Sequence, residues 1–305
     1  MSFAIELARV FSASKTIESP ILNSLGVQPL RAIFARGIYR ARRDHCSGPA
    51  DEFWVRALRA DGIVAIHPFL PEEQFARLRA EAEIVLSHPG GFKLHQRGPT
   101  EVWHHHLRDL NEQEFPELNR WRHHNRALNL VAAAAKRSIE PEDGLRVLER
   151  ISYTDNEDVD PEINLHVDTF FHTHKLWLYL DDVRMENGPF TYVPRSHRLS
   201  ATRLRRDYRE ARTTNAGSRR IGEEEIEQRG LQRELLMCPA NTLLIADTCG
   251  YHCRTLGVPG HSRRALHMSF RFNPFMPVWL KADTRLTRRN PRLARILQTL
   301  EGTST

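Results

Sequence analysis

The stretch NLHVDTFFHTHKLWLYLDDV, residues 164–183, decides the fold because polar and apolar side chains alternate along it. Alternate side chains of a β-strand point to opposite faces of its sheet, so Lys175, Trp177 and Tyr179 are predicted to share one face. By the same alternation, His166 and Asp168 are predicted to point to one side of the segment NLHVDTFF, residues 164–171, at the start of this stretch. Burying an imidazole beside a carboxylate costs several kcal/mol unless something compensates. The stretch therefore predicts a β-rich domain whose buried polar residues need a partner.

Short segments of the same kind recur from about residue 145 onward. β-branched and aromatic runs are separated by Gly, Pro, Asn and Asp turns, which is typical of a sandwich or barrel. They include LRVLERISYTDN (145–156), PFTYVP (189–194), NTLLIADT (241–248) and RRALHMSFRF (263–272). Predicted helices come first and strands follow, which argues against an alternating α/β sheet. We expect a mainly β fold with flanking helices: a double-stranded β-helix (a cupin-like jelly-roll) buttressed by N-terminal helices.

The chain of 305 residues is long enough to bury one large core. We predict a single catalytic domain over residues 1–305, with an N-terminal helical arm over 1–50 and a β-helix core over 145–197 and 236–275. Residues 198–235 form an Arg-rich insertion. This insertion is either a solvated segment with a short helix or a lid over the mouth of a pocket.

Charge and cysteine content restrict the classes of partner. The formal net charge of +6 is mild and the arginines are spread along the chain, so no nucleic-acid partner is predicted, whereas anionic small molecules are compatible. No apolar run approaches the ~20 residues that span a bilayer, so no membrane partner is expected. The four cysteines show no CxxC pair and no disulfide framework, which predicts a cytoplasmic location. The sequence does not indicate an oligomeric state.

A bound metal would compensate the buried pair His166 and Asp168. His252 follows the apolar strand of LLIADTCGYHCR (243–254) at a turn. Two histidines and one carboxylate on neighbouring strands can occupy one face of an octahedral ferrous ion and leave the other face open. Such a geometry is needed when iron must bind a bidentate cosubstrate and dioxygen together.

Arg263 is a candidate carboxylate-binding residue. Alternation in RRALHMSFRF places Arg263 and His267 on a polar face, while Arg264, Leu266 and Met268 lie on the opposite face. A guanidinium group can hold a carboxylate through two parallel hydrogen bonds. An iron site with a nearby carboxylate clamp suggests 2-oxoglutarate as the cosubstrate.

Together these motifs resemble the phytanoyl-CoA dioxygenase family of Fe(II)- and 2-oxoglutarate-dependent oxygenases. The resemblance runs from about residue 55 to residue 275 and is carried by LRADGIVAIHPFLPEEQFARLRAEAE, LHVDTFF, KLWLYLDDVRMENGPFTYVPRSH and YHCRTLGVPGHSRRAL. It implies that the iron ligands, and thus the catalytic centre, are His166, Asp168 and His252. It also implies that Arg263 binds the distal carboxylate of 2-oxoglutarate.

The resemblance further implies that Trp177 lines the cosubstrate pocket. We expect Lys175 and Tyr179, on the same strand face, to contribute to this pocket, although a surface ion pair is an equal expectation for Lys175. One departure concerns Arg195, which stands where the family usually has glycine, so the conformation of that turn is open.

The activity implied by the resemblance is that of a non-haem dioxygenase using Fe(II), 2-oxoglutarate and O2. It would hydroxylate or otherwise oxidise a small organic substrate, either anionic or thioester-linked, and release succinate and CO2. Asp168 argues against halogenation, whereas desaturation and epimerisation stay open. The alternatives are a non-oxygenase cupin-like protein, either a metal-dependent isomerase or a ligand-binding protein, and a protein hydroxylase of the same superfamily.

Other histidines are expected to have structural roles. The HHH run at 104–106 is predicted to lie on the surface, and His197 to hold a turn in place. His172 and His174 have the spacing of a cupin metal pair but lack the glutamate that should follow. His267 is expected to act next to the metal site without binding metal.

Overall fold

The computed structural model describes residues 10–45, 48–88, 90–213 and 220–275. Its helices are α1 (Pro20–Ser24), α2 (Val27–Ala41), α3 (Glu52–Asp61), α4 (Glu72–Ser87), α5 (Pro116–Arg122), α6 (Asn125–Ala135), α7 (Ala201–Thr213) and α8 (Glu223–Gln228). Its strands are β1 (Ile63–Ile66), β2 (Lys93–Arg97), β3 (Thr100–His106), β4 (Leu145–Tyr153), β5 (His174–Tyr179), β6 (Phe190–Tyr192), β7 (Glu234–Leu236), β8 (Leu243–Asp247), β9 (His252–Arg254) and β10 (Ser262–Phe270). None of these helices combines the length and the hydrophobicity that a membrane-spanning segment requires.

Two antiparallel sheets form the body of the protein. The larger sheet has seven strands in the order β1-β8-β5-β10-β4-β3-β2, and the smaller has three in the order β7-β6-β9. This confirms the predicted mainly β fold with flanking helices. The larger sheet also includes β2 and β3, which the sequence did not predict as strands.

Alternation in β5 and β10 determines which side chains face the helices. Leu176, Leu178 and Leu266 pack with residues of α3, α4, α5 and α6 in the largest apolar cluster. Each fully buried leucine stabilises this packing by about 2 kcal/mol. On the opposite face Trp177 and Tyr179 pack against β6. The helices therefore cover one face of the larger sheet, and the other face lines the space between the sheets.

The Arg-rich insertion is packed against the sandwich through two of its arginines. Arg203 of α7 is buried and donates to the backbone carbonyls of Ser196 and Cys249, both at 2.8 Å. Arg229, just after α8, donates to the hydroxyl of Tyr251 at 2.8 Å. The described part of the insertion is therefore anchored to the sandwich by buried side chains.

The turn after β6 contains an arginine in the left-handed conformation. Arg195 has φ of 66°, and its N–H donates to the carbonyl of Asp61 at 2.7 Å. A Cβ in this region costs roughly 1 kcal/mol or more, and glycine does not incur that cost. We expect Arg195→Gly to raise the free energy of unfolding by up to about 1 kcal/mol, measured by urea denaturation. Arg195→Ala keeps the Cβ and should show no gain, and equal effects of the two substitutions would contradict this reason.

Candidate metal centre

His166 and His252 are brought together by a short antiparallel bridge. The N–H of His166 donates to the carbonyl of His252 at 2.9 Å, and the reciprocal bond is 3.0 Å long. The N–H of Asp168 donates to the carbonyl of Thr248 at 3.0 Å. The segment around His166, where the alternation indicated a strand, forms only isolated bridges to His252 and Arg220 and no continuous ladder.

Three side chains predicted to bind metal converge at this point. The possible ligand atoms of His166, Asp168 and His252 all lie within 4.8 Å of one another. Nε2 of His252 is 3.7 Å from Oδ1 of Asp168, and the two imidazole centroids are 4.4 Å apart. All three residues are buried.

Both histidines are oriented by backbone carbonyls. Nδ1 of His166 contacts the carbonyl of Asn164 and Nδ1 of His252 that of Gly250, each at 2.9 Å. A proton on Nδ1 leaves a lone pair on Nε2, which is the tautomer that metal-binding histidines need. Burial first, and then the neighbouring His166, lowers the pKa of His252 to about 4. His252 is therefore neutral at pH 7, and the donor set fits a ferrous ion.

Lys175 holds the carboxylate of Asp168 in place. Its Nζ lies 2.8 Å from Oδ2 of Asp168, while Oδ1 is the oxygen nearer His252. Burial would raise the pKa of Asp168, but Lys175, His252 and His166 outweigh burial and hold it well below its usual value. Lys175 thus forms its ion pair within the site, and the expected surface ion pair is not what the structure has.

Glu162 is a neighbour of the centre that the sequence did not indicate. Its Oε2 lies 2.9 Å from Nε2 of His166, the atom that would bind a metal. Arg97 and Arg220 each approach its other oxygen at 3.4 Å. Its position four residues before His166 is a weak signal, because only the short helical turn at 161–163 directs the carboxylate back to the imidazole.

Arg263 lies buried between the sheets with spare donor capacity. Its Nη1 donates to the carbonyl of Gly188, and its guanidinium carbon lies 5.8 Å from the ring centroid of Tyr179. Its Nε has no hydrogen-bond partner, and within the described ranges no carboxylate forms an ion pair with it. A buried guanidinium of this kind is suited to a carboxylate ligand.

Aromatic side chains connect the metal centre with the inner face of β5. The ring of Phe190 lies 5.6 Å from that of His252 and 5.0 Å from that of Trp177. Trp177 stacks on His267 at 5.0 Å with an angle of 13° between the rings. Trp177 and His267 are cross-strand neighbours in the register of β5 and β10, so both face the space between the sheets. Tyr179 lies on the same face and is fully buried.

The prediction that residues 104–106 lie on the surface is wrong. They belong to β3, where His105 is buried and His104 is partly buried. Glu149 of β4 lies between Nε2 of His104 at 2.9 Å and Nδ1 of His267 at 3.2 Å. These contacts form because the register pairs His104 with Glu149 across the two strands.

A further buried polar group joins α2 to β8. Nδ1 of His172 contacts Asp247, and the guanidinium of Arg36 contacts His172 and the carbonyl of His197. Asp247 also accepts from the N–H groups of Thr173 at 3.1 Å and of Cys249 at 3.2 Å. This group therefore has a structural explanation, since it fixes α2 against the sandwich.

The buried histidines should make stability depend on pH. Burial is the first cause that lowers the pKa of His172 to about 3 and that of His197 to about 4. Because the folded pKa lies below the unfolded value of about 6.5, their contribution is present above pH 6.5 and is lost as the pH falls toward the folded pKa. While one such group is protonated in the unfolded state and neutral in the folded state, the free energy of unfolding falls by about 1.4 kcal/mol for each pH unit of acidification.

We therefore expect the metal-free protein to lose stability as the pH is lowered from 6.5 toward 4. Denaturation followed at several pH values measures this change. His197→Gln should make the dependence less steep, because the variant lacks one of these groups. Stability that rises on acidification across this interval would contradict the expectation.

Comparison with known families identifies the chain. The profile described as phytanoyl-CoA dioxygenase (PhyH) matches residues 58–237, more than half of the chain. The chain belongs to the phytanoyl-CoA dioxygenase family. This confirms the resemblance seen in the sequence and the enzyme class, an Fe(II)- and 2-oxoglutarate-dependent enzyme. No curated protein shows a significant match to the sequence.

Comparison with solved structures finds a similar fold in the first of the following chains, and the other two match less closely. The epimerase SnoN, solved in complex with Fe3+, alpha ketoglutarate and nogalamycin RO, matches with a TM-score of 0.51 and 19% identity, over 72% of this chain and 83% of that one. AviO1 from Streptomyces viridochromogenes Tue57 matches with a TM-score of 0.49 and 16% identity, over 74% and 97% of the two chains. EctD from S. alaskensis, solved with 2-oxoglutarate and 5-hydroxyectoine, matches with a TM-score of 0.49 and 12% identity, over 76% and 80%. At these identities the likeness concerns the fold alone.

Proposed function

We propose that this protein is a non-haem Fe(II)- and 2-oxoglutarate-dependent dioxygenase that hydroxylates or otherwise oxidises a small organic substrate and releases succinate and CO2. The observation that carries the proposal is the convergence of His166, Asp168 and His252, whose ligand atoms lie within 4.8 Å of one another. The bound iron and 2-oxoglutarate supply the oxidising chemistry with O2.

The protein's own residues prepare the site for this chemistry. Carbonyls engage the Nδ1 atoms of His166 and His252, so Nε2 is the atom of each ring that would bind the metal. At His166 the contact of Nε2 with Glu162 would be replaced by the metal. Lys175 engages one oxygen of Asp168 and leaves the other for the metal. These contacts orient the ligand side chains before the metal binds. The side chains therefore lose little conformational freedom when the metal binds.

Binding of 2-oxoglutarate is assigned to the inner face of β5 and β10. Arg263 would hold the distal carboxylate with the donors that the described protein leaves unpaired. The neighbouring rings of Trp177 and Phe190, tilted by 39° to each other, lie next to His252 and would make this part of the pocket apolar. Tyr179 borders Arg263 and would line the same end of the pocket.

Anaerobic addition of Fe(II) and 2-oxoglutarate to the purified protein tests the proposal. The expected result is a visible metal-to-ligand charge-transfer band that needs both additions, followed by succinate formation when air is admitted. Absence of the band in the unmodified protein would refute the proposal.

We also propose a cytoplasmic location. In the described part of the chain Cys238, Cys249 and Cys253 are free thiols. Unpaired cysteines are typical of reducing compartments.

A further inference from the structure

A narrow cleft opens beside Asp168, outside the space between the sheets. The N-terminal segment contributes Lys15 to its wall, α2 contributes Gln28, and α7 contributes Arg203 and Asp207. A group that enters this cleft comes directly to the metal-binding carboxylate. The cleft is therefore a candidate route or binding site for the substrate.

The N-terminal segment is held firmly where it borders the cleft. Arg31 of α2 donates to the carbonyl of Val10 at 2.7 Å and to that of Lys15 at 3.0 Å. From the other side Asn273, just beyond β10, donates to the carbonyls of Phe11 at 2.9 Å and Ser12 at 3.0 Å. Lys15 is thus positioned by backbone contacts on both sides and is part of the domain.

The amino group of Lys15 is a partly buried cation without a counter-ion. Within the described residues its Nζ makes no hydrogen bond and no ion pair. Burial is the largest cause that lowers the pKa of Lys15, and the positive charges of Arg271 and Arg97 lower it further. The negative charges of Asp168 and Glu162 act in the opposite direction. The charge of Lys15 therefore stands at the wall of the cleft that Asp168 also lines.

The carboxylates near Lys15 already have partners. Asp168 pairs with Lys175 at 2.8 Å, and Glu162 lies 3.4 Å from both Arg97 and Arg220. In the cleft itself, Asp207 lies 3.8 Å from Arg206. Because these negative charges are compensated, the positive charge of Lys15 remains available to a ligand.

Arg263 does not line this cleft, whose described walls come from the N-terminal segment, residues 167–170, α2 and α7. We therefore expect Lys15 and Arg263 to be separate anion-binding groups, which the variants below distinguish.

Building on the function proposed above, we propose that Lys15, at the wall of this cleft, binds an anionic group of the substrate, a carboxylate or a phosphate. The substrate would then approach Asp168 through the cleft that Lys15 lines. This assigns an anionic small molecule as the substrate class and gives the N-terminal segment a part in recognition.

Chemical labelling of the unmodified full-length protein tests the site directly. Acetic anhydride is applied with and without inorganic pyrophosphate or benzoate, and the acetylation rate of each lysine is followed by mass spectrometry. One of the two anions should slow acetylation of Lys15 by about tenfold, as expected for a charge-assisted contact, and leave the exposed Lys93 unchanged. Protection by pyrophosphate indicates a phosphate group and protection by benzoate a carboxylate. Failure of both anions to protect Lys15 would overturn the proposal.

Variants separate this site from the cosubstrate site. Lys15→Met should weaken binding of the protecting anion by about tenfold in calorimetry, whereas Lys93→Met should not. Lys15→Met should keep the charge-transfer band at the same 2-oxoglutarate concentration. Loss of the band in this variant would place Lys15 at the cosubstrate and overturn the inference, while the iron function would stand. Protection of Lys15 in a protein that forms no band would support the anion site and refute the iron function.

Discussion

His252→Ala is expected to abolish retention of iron and, with it, the charge-transfer band and succinate formation. The substitution removes one of three ligands from a buried site, and changes that merely disturb the partners of a ligand already cost 10- to 100-fold in metal affinity. We therefore expect the affinity for Fe(II) to fall by more than about 100-fold. Metal content after anaerobic gel filtration measures the loss without depending on turnover.

His197→Gln is the matched control for this loss. His197 is also a buried histidine, but its Nε2 contacts the carbonyl of Arg59 at 3.1 Å and it belongs to no group of converging ligand atoms in the described part of the chain. This variant should keep iron and the band. If His252→Ala retained iron as well as the unmodified protein does, the assignment of the ligands would be wrong.

Arg263→Gln is expected to raise the apparent dissociation constant for 2-oxoglutarate by about 10- to 100-fold. A hydrogen bond to a charged partner contributes about 1.5–3 kcal/mol, and this change removes the charge and at least one donor. Titration of the anaerobic Fe(II) protein with 2-oxoglutarate, followed by the charge-transfer band, gives the constant. Iron content should stay unchanged.

Arg264→Gln provides a neighbouring control on the opposite strand face. Arg264 pairs with Asp181 at 2.6 and 2.7 Å and also contacts Glu83, so its side chain points away from the space between the sheets. Its loss should lower stability slightly and leave the affinity for 2-oxoglutarate as it is. An equal loss of affinity in both variants would show that Arg263 acts through the fold and does not contact the cosubstrate.

The alternation of side chains predicted the faces of β5 and β10 well. Leu176 and Leu178 pack toward the helices while Trp177 and Tyr179 face the smaller sheet, as the period of two requires. The same alternation correctly predicted that Arg263 and Arg264 lie on opposite faces of β10. It failed for 104–106, because three consecutive histidines carry no apolar alternation and the strand is stabilised there by pairing with β4.

The identities of the candidate ligands and the general fold were determined by the sequence itself, because strand period, turn residues and motif order are properties of neighbouring residues. Only the tertiary structure decided that Glu162 contacts His166, that Glu149 lies between His104 and His267, and that Lys15 borders the cleft beside Asp168. These contacts join elements that are distant along the chain. Their geometry depends on strand register and on the docking of the N-terminal segment, which the local pattern does not specify.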